Sequence, residues 1–334
     1  MTEAQSLHRE AIVIDAVCPL LRNKKYVDWY YEGGVTVAAP TIASAEGAGI
    51  TLREIARWKA AIAADDRLVQ VDSVAGIEAA KLHGKLGLLF HFQGTGPLED
   101  EPDLVHAYKA LGVGIIQLAY NVKNFVGDGA DERTDAGLSY FGVRLIKAMN
   151  EARIIVDCSH TGVQTSFEAI EASTSPVVIS HGNPRALHDV RRNLPDDLIR
   201  AAAASGGLVG AVGFPAFISS SARPTLDQFI DHIAYLVELI GIDHVGLGID
   251  YYNAQYPVMS DEEATAWYEV QLALGRWRPG TYPPPPHYYP EGIETPRTLP
   301  NLTRRLLERG FHAAEVKKIL GENWLRVYRA VWES

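Results

Sequence analysis

Cysteine is nearly absent from the chain: Cys18 and Cys158 are the only two, each in an apolar, strand-like run. A disulfide framework is excluded, and both thiols are expected to be reduced. The first residues carry no cationic segment and no apolar leader core, since Glu3-Ala4-Gln5-Ser6-Leu7-His8 reads as a polar helix start. No stretch reaches the roughly 18 apolar residues that a membrane span needs. The expectation is a cytoplasmic protein with no membrane partner. Positive charge is also scarce: Lys+Arg 31 against Asp+Glu 41 leaves −10. No basic stripe follows a phosphate backbone, so nucleic acid is not an expected partner. Internal repeats and long linkers are missing as well.

What remains is an ordinary globular composition, 334 residues of which 47% are hydrophobic and 22% charged. That length suits one large α/β barrel or two smaller domains. Apolar runs at 11–15, 35–39, 87–93, 114–119, 153–159, 176–180, 207–212 and 244–250 read as strands, with helical segments between nearly all of them. Such an alternation favours a (β/α)8 barrel, the TIM-barrel class, as a single domain over 1–334. Thr51-Leu52-Arg53-Glu54 resembles a capping box, Pro97 is placed just inside a helix running through Leu104 to Leu111, and Gly112 is the expected stop. A Pro-rich loop at 277–296 should be extended and stiff. Three positions for it stay open: across the barrel mouth, out on the surface, or in a dimer contact. Helices should complete the chain over 299–333.

Two of the strand candidates end alike. Ile155-Val156-Asp157-Cys158-Ser159-His160 and Val177-Val178-Ile179-Ser180-His181 each run from β-branched residues into Ser-His, with a helical segment between them. In parallel sheets the carboxyl ends of strands carry the chemistry, and neutral imidazoles there are good ligands for zinc and similar ions. A hydrogen-bonded core histidine at each place is the plainer alternative.

The run Gly112-Val113-Gly114-Ile115-Ile116-Gln117-Leu118, the two Ser-His endings, Arg191-Arg192-Asn193, Gly246-Leu247-Gly248-Ile249-Asp250 and Leu320-Gly321-Glu322-Asn323-Trp324 stand in an order that resembles the renal (membrane) dipeptidase family, peptidase family M19 of the amidohydrolase superfamily. The resemblance implies a (β/α)8 barrel that holds two zinc ions and hydrolyses dipeptides, often with a D-residue on the C-terminal side. It also implies that His160 and His181 bind one metal, that Arg192 holds the substrate carboxylate, and that Asp250 orients or deprotonates the attacking water.

The chain departs from the family where the other metal belongs. The first-strand Asp-Gly-His-x-Asp is here Asp15-Ala16-Val17-Cys18-Pro19, and neither Val17 nor Pro19 can ligate. The bridging glutamate is Gln93, a neutral amide that cannot bridge two cations. Tyr120 stands where a catalytic histidine is usual, and can donate its proton to an oxyanion or pack against substrate.

The expected cofactor is therefore one zinc, or another divalent ion, on His160 and His181 with Asp250 or Gln93 and water. A metal-free pocket is the other reading. His91 and Cys158 should lie one layer deeper, facing the same way as Gln93 and His160. His91 is read as a core residue rather than a replacement ligand, Cys18 as a buried thiol, and the acids of 124–131 as solvated turn formers. Two functions follow: a metal-dependent dipeptidase-like hydrolase acting on a dipeptide or similar small carboxylate, or a diverged lyase, isomerase or binding protein on the same barrel. A homodimer is compatible with either.

Overall fold

Buried, β-branched runs form the staves of a parallel barrel in the computed structural model, which describes residues 2–334. They are β1 (Ile14–Cys18), β2 (Val37–Ala43), β3 in two pieces (Leu86–Leu88 and Phe90–Phe92), β4 (Val113–Gln117), β5 (Ile155–Asp157), β6 (Val177–Val178), β7 (Val209–Ala211) and β8 (Val245–Leu247). The parallel register runs through Ile14↔Val37, Thr41↔His91, Phe92↔Ile116, Gln117↔Asp157 and Val156↔Val177. A single bridging pair, Ile179↔Val209, continues it, and β8 then pairs with β7 from Val245↔Val209 to Leu247↔Ala211. The last seam, β8 to β1, is joined by a side chain: Asp15 Oδ1 accepts the Ile249 N–H at 2.9 Å. A short strand, Leu68–Gln70, pairs with Leu86–Leu88 and was not anticipated, because three residues ending in a polar one carry no readable period.

The C-terminal helix Asn323–Trp332 closes the barrel floor. Trp324 and Tyr328 pack among Ile14, Leu89, Ile155, Val178 and Leu208. Trp324 Nε1 donates to Leu247 O at 3.0 Å, and Asn323 Nδ2 donates to Ile242 O and Val245 O, both at 2.7 Å. Gly321 is required by close approach, since a Cβ there would lie 2.4 Å from Ile12 O. The Gly-Glu-Asn-Trp motif is thus a packing device at the end opposite the chemistry.

Several local expectations are corrected. The helix Ala48–Ala63 starts before Thr51 and is capped by Gly47; the Thr51 hydroxyl donates back to Gly47 O instead. Pro97 belongs to a separate 3₁₀ turn, Gly96–Leu98, and the positive φ of Glu99 (51°) separates it from the helix Leu104–Ala110. Gly112 is the stop, at φ 96°. Alternation also fails beyond Asp157. It is Asp157, in register with Gln117, that points into the barrel beside His91, whereas Cys158 belongs to the outer core under the helices.

Candidate metal centre

Three residues at the barrel mouth hold left-handed backbone angles that cost a non-glycine residue energy: Asn121 (φ 61°), His160 (58°) and Asp250 (63°). Each follows a strand end, β4, β5 and β8, and the turn directs each side chain back over the barrel axis. His181 follows β6 and lies beside His160, with ring centroids 4.8 Å apart.

The hydrogen bonds fix which ring nitrogen of each histidine is free. Asn121 gives its Nδ2 to Arg276 O at 2.9 Å, so its Oδ1, 2.7 Å from His160 Nδ1, accepts the Nδ1–H. Ser180 gives its proton to Asp157 Oδ2 at 2.5 Å, so its oxygen accepts from His181 Nδ1 at 2.8 Å. Asp157 is held in place by the N–H groups of Ser159 and Ser180, both at 2.9 Å. Against burial, which raises it, the His91 ring 3.5 Å away and the hydrogen bond from Ser180 hold the Asp157 carboxyl well below its usual range. Both Nε2 atoms are left buried without a partner.

One ring nitrogen of each histidine and a carboxylate oxygen of Asp250 lie within 4.8 Å of one another. Burial first, and then the charge of Arg192, keep both imidazoles neutral, which is the ligating form. Burial pushes the Asp250 carboxyl up to about 8, with Arg192 and the Gln93 amide opposing and Asp15 adding to it. The donor set is two neutral imidazoles and one carboxylate, their outer partners already in place. It fits a single divalent cation of the zinc type.

The remaining residues divide, with Tyr120, His91 and Cys18 placed as expected and Gln93, Arg192, Asp128 and Asp131 placed differently. Gln93 Oε1 is engaged by the Thr41 hydroxyl at 3.2 Å, and its side chain, on the same cavity wall as Asp250, favours the ionised form of that carboxyl. Tyr120 stacks on His160 with centroids 4.2 Å apart; its oxygen accepts from Trp277 Nε1 at 3.1 Å, leaving its own proton uncommitted. Burial pushes that phenol up to about 12. Arg192 is only 2% exposed and donates Nη2 to His181 O at 2.8 Å, so it sits behind the histidine and is not part of the cavity wall. His91 lies beneath, its Nε2 3.5 Å from Asp157 Oδ2 and outside the triad. Cys18 turns to the outer core, where burial drives its thiol well up. Asp128 and Asp131 are buried staples rather than solvated acids: Asp128 accepts from Thr134 and Ala136 N, and Asp131 from Thr281 at 2.6 Å.

The Pro-rich segment lies across the mouth and is turned rather than extended. Pro279-Gly280 supports a tight turn, with the N–H groups of Thr281 and Tyr282 both bonded to Arg278 O. Trp277 stacks on Tyr282 (4.3 Å, 12°), and the Tyr282 hydroxyl donates to Asn121 Oδ1 at 3.1 Å. Together they roof a cavity of about 200 Å³ whose floor includes Gln93, Tyr120, His160 and Asp250. Pro19 and the Arg22–Glu46 ion pair wall it on the β1 side. The sequence reading missed Asn121, the Asp157–Ser180 support and this aromatic roof; strict alternation from Ile155 would have found Asp157.

The profile of the membrane dipeptidase family (Peptidase family M19) matches residues 33–272 and 285–334. An amidohydrolase from Pseudomonas aeruginosa is 34% identical, with a TM-score of 0.92 over 100% of both chains. An uncharacterized protein from the pqqA 5′ region of Klebsiella pneumoniae is 29% identical over 272 residues, 78% of this chain and 88% of that protein. A metallo peptidase from Rhodobacter sphaeroides, liganded with a phosphinate mimic of the dipeptide L-Ala-D-Ala, shares the fold at 19% identity (TM-score 0.79, 96% of this chain and 100% of that one). Among the described residues no helix is long and apolar enough to cross a membrane.

Proposed function

From the premise that this chain belongs to the membrane dipeptidase family, peptidase family M19, we propose that it hydrolyses the amide bond of a dipeptide or similar small carboxylate with one zinc ion rather than two. His160 Nε2, His181 Nε2 and an Asp250 oxygen would hold the ion. The observation that carries this reading is that His160, His181 and Asp250 bring ligand atoms within 4.8 Å of one another while both Nε2 atoms are buried and unpartnered. A bound zinc supplies Lewis acidity, lowering the pKa of a water and polarising a carbonyl.

The protein's own groups do the rest. The Asp250 carboxylate, beside the two imidazoles at the barrel mouth, is placed to take a proton from the attacking water and return it to the leaving amine. The Tyr120 hydroxyl, whose proton no protein acceptor claims, donates to the developing oxyanion. Arg192, fixed behind His181, favours negative charge as it develops in the centre. The Trp277–Tyr282 roof excludes bulk water. The phosphinate mimic of the dipeptide L-Ala-D-Ala bound to the Rhodobacter protein supports this choice of substrate class.

A second reading, a diverged lyase, isomerase or binding role, is favoured by one feature: Gln93, a neutral amide whose Oε1 accepts from the Thr41 hydroxyl, stands where the family has a bridging carboxylate. Elemental analysis of the purified protein, before and after a chelator, with a panel of L-L and L-D dipeptides assayed alongside, separates the two. About one zinc per chain, lost together with activity and absent from His181→Ala, supports the hydrolase. Full activity without metal sinks it.

A further inference from the structure

The cavity wall has aromatic surface and positive charge that the hydrolytic steps do not use. Arg22 and Arg276 both line it, while Arg192 does not. Arg22 is neutralised by Glu46, with Nη1 to Oε1 at 2.9 Å, and the other Glu46 oxygen is taken by Ser44 N at 2.6 Å. The Arg276 guanidinium has no ion-pair or hydrogen-bond partner among the described residues. Its backbone is nevertheless fixed, the carbonyl by Asn121 and the N–H by Gln271 O. With Asp250 assigned to the metal, the charge left over at the cavity is positive, and it sits on Arg276, an exposed residue whose backbone is anchored beside the roof.

The apolar part of the same wall is Tyr120, Phe214, Tyr252, Trp267, Trp277 and Tyr282. These rings brace one another: Phe214 meets Trp277 and Tyr282 with centroids at 6.2 and 5.8 Å, and Tyr252 meets Trp267 at 5.5 Å. The Tyr252 hydroxyl is buried and has no partner in the protein, so the wall carries an unsatisfied polar atom as well as flat faces. Aromatic walls accept either a cation or another ring. An uncompensated guanidinium on the same wall disfavours the cation.

Resting on the hydrolase reading for where the scissile bond lies, we propose that this cavity selects a small carboxylate bearing an aromatic side chain. Its ring packs among Phe214, Tyr252 and Trp277, and its carboxylate is read by Arg276. The guanidinium fork matches a carboxylate in a bidentate way, and Arg276 takes the task in place of Arg192, which is buried against the His181 carbonyl and does not line the cavity.

The test needs no turnover, so its failure is separable from failure of the hydrolase reading. Calorimetric titration of the purified full-length protein with 3-phenylpropionate, 3-phenylpropionamide, butyrate and 2-phenylethylammonium compares ring and charge independently. The expected result is that the amide and butyrate each bind about tenfold or more weaker than phenylpropionate. Arg276→Gln should weaken the carboxylate by about the same factor and leave the amide unchanged. Equal binding of butyrate, an Arg276→Gln variant that binds phenylpropionate normally, or preference for the ammonium compound would each overturn the proposal.

Discussion

Asn121 holds His160 by the wrong end for a competing ligand and the right end for a metal site: its Oδ1 is 2.7 Å from Nδ1, and its Nδ2 is tied to Arg276 O. The ring therefore keeps its proton on Nδ1 and presents a bare Nε2. Asn121→Ala removes that acceptor, and zinc affinity measured by chelator competition should fall about 10–100-fold. Asn121→Asp keeps an acceptor at the same place and should recover most of the loss. Unchanged affinity in the alanine variant would show that the outer bond does not set the tautomer.

Tyr120 differs from a general base in never giving up its proton at working pH, since burial holds its phenol up at about 12. Tyr120→Phe keeps the stack on His160 and loses only the hydroxyl. The expected effect is a fall in kcat of about 100-fold with KM little changed, because the donor acts on the oxyanion and not on the ground state. A rise in KM with kcat intact would assign Tyr120 to substrate packing instead.

The parts of the centre made by regular structure were legible and those made by turns were not. Val177-Val178 and Ile155-Val156 announce buried parallel strands, and the histidines after them meet because neighbouring strands end at one mouth. Counting alternate residues past Asp157 failed, since the chain leaves the strand there and His160 takes a left-handed angle, so Cys158 and His160 do not share a face. Asn121 was invisible for the same reason: its contact with His160 depends on a positive φ that no period encodes. Gln93 was placed at the right strand end, but its hydrogen-bond direction is set by Thr41, which is far away in sequence. The roof escaped because prolines dominate 277–296, while its anchoring is done by Trp277, Thr281 and Tyr282 between them.

Stability against pH offers a check on the centre without any substrate. Burial raises Asp250 to about 8 and Asp15 to about 7, against 3.8 for an ordinary aspartate, so the folded chain keeps two protons that the unfolded chain has released. That difference makes stability fall as pH rises toward about 8. His160 and His181 work oppositely: burial holds them neutral while the unfolded chain protonates below 6.5, so their contribution grows as pH rises to that value and then stops. The two pairs offset each other under mildly acidic conditions, and only the carboxylates remain above 6.5. In chelator, the Tm of the wild type should therefore decline between about pH 6.5 and 8.5, and Asp250→Asn should flatten part of that decline. Added zinc should reverse the trend, because a cation that displaces the Asp250 proton binds more tightly as that proton becomes easier to lose. Identical pH profiles for Asp250→Asn and wild type in chelator would mean that the Asp250 carboxyl is already ionised in the folded protein, and its burial-raised titration would have to be given up.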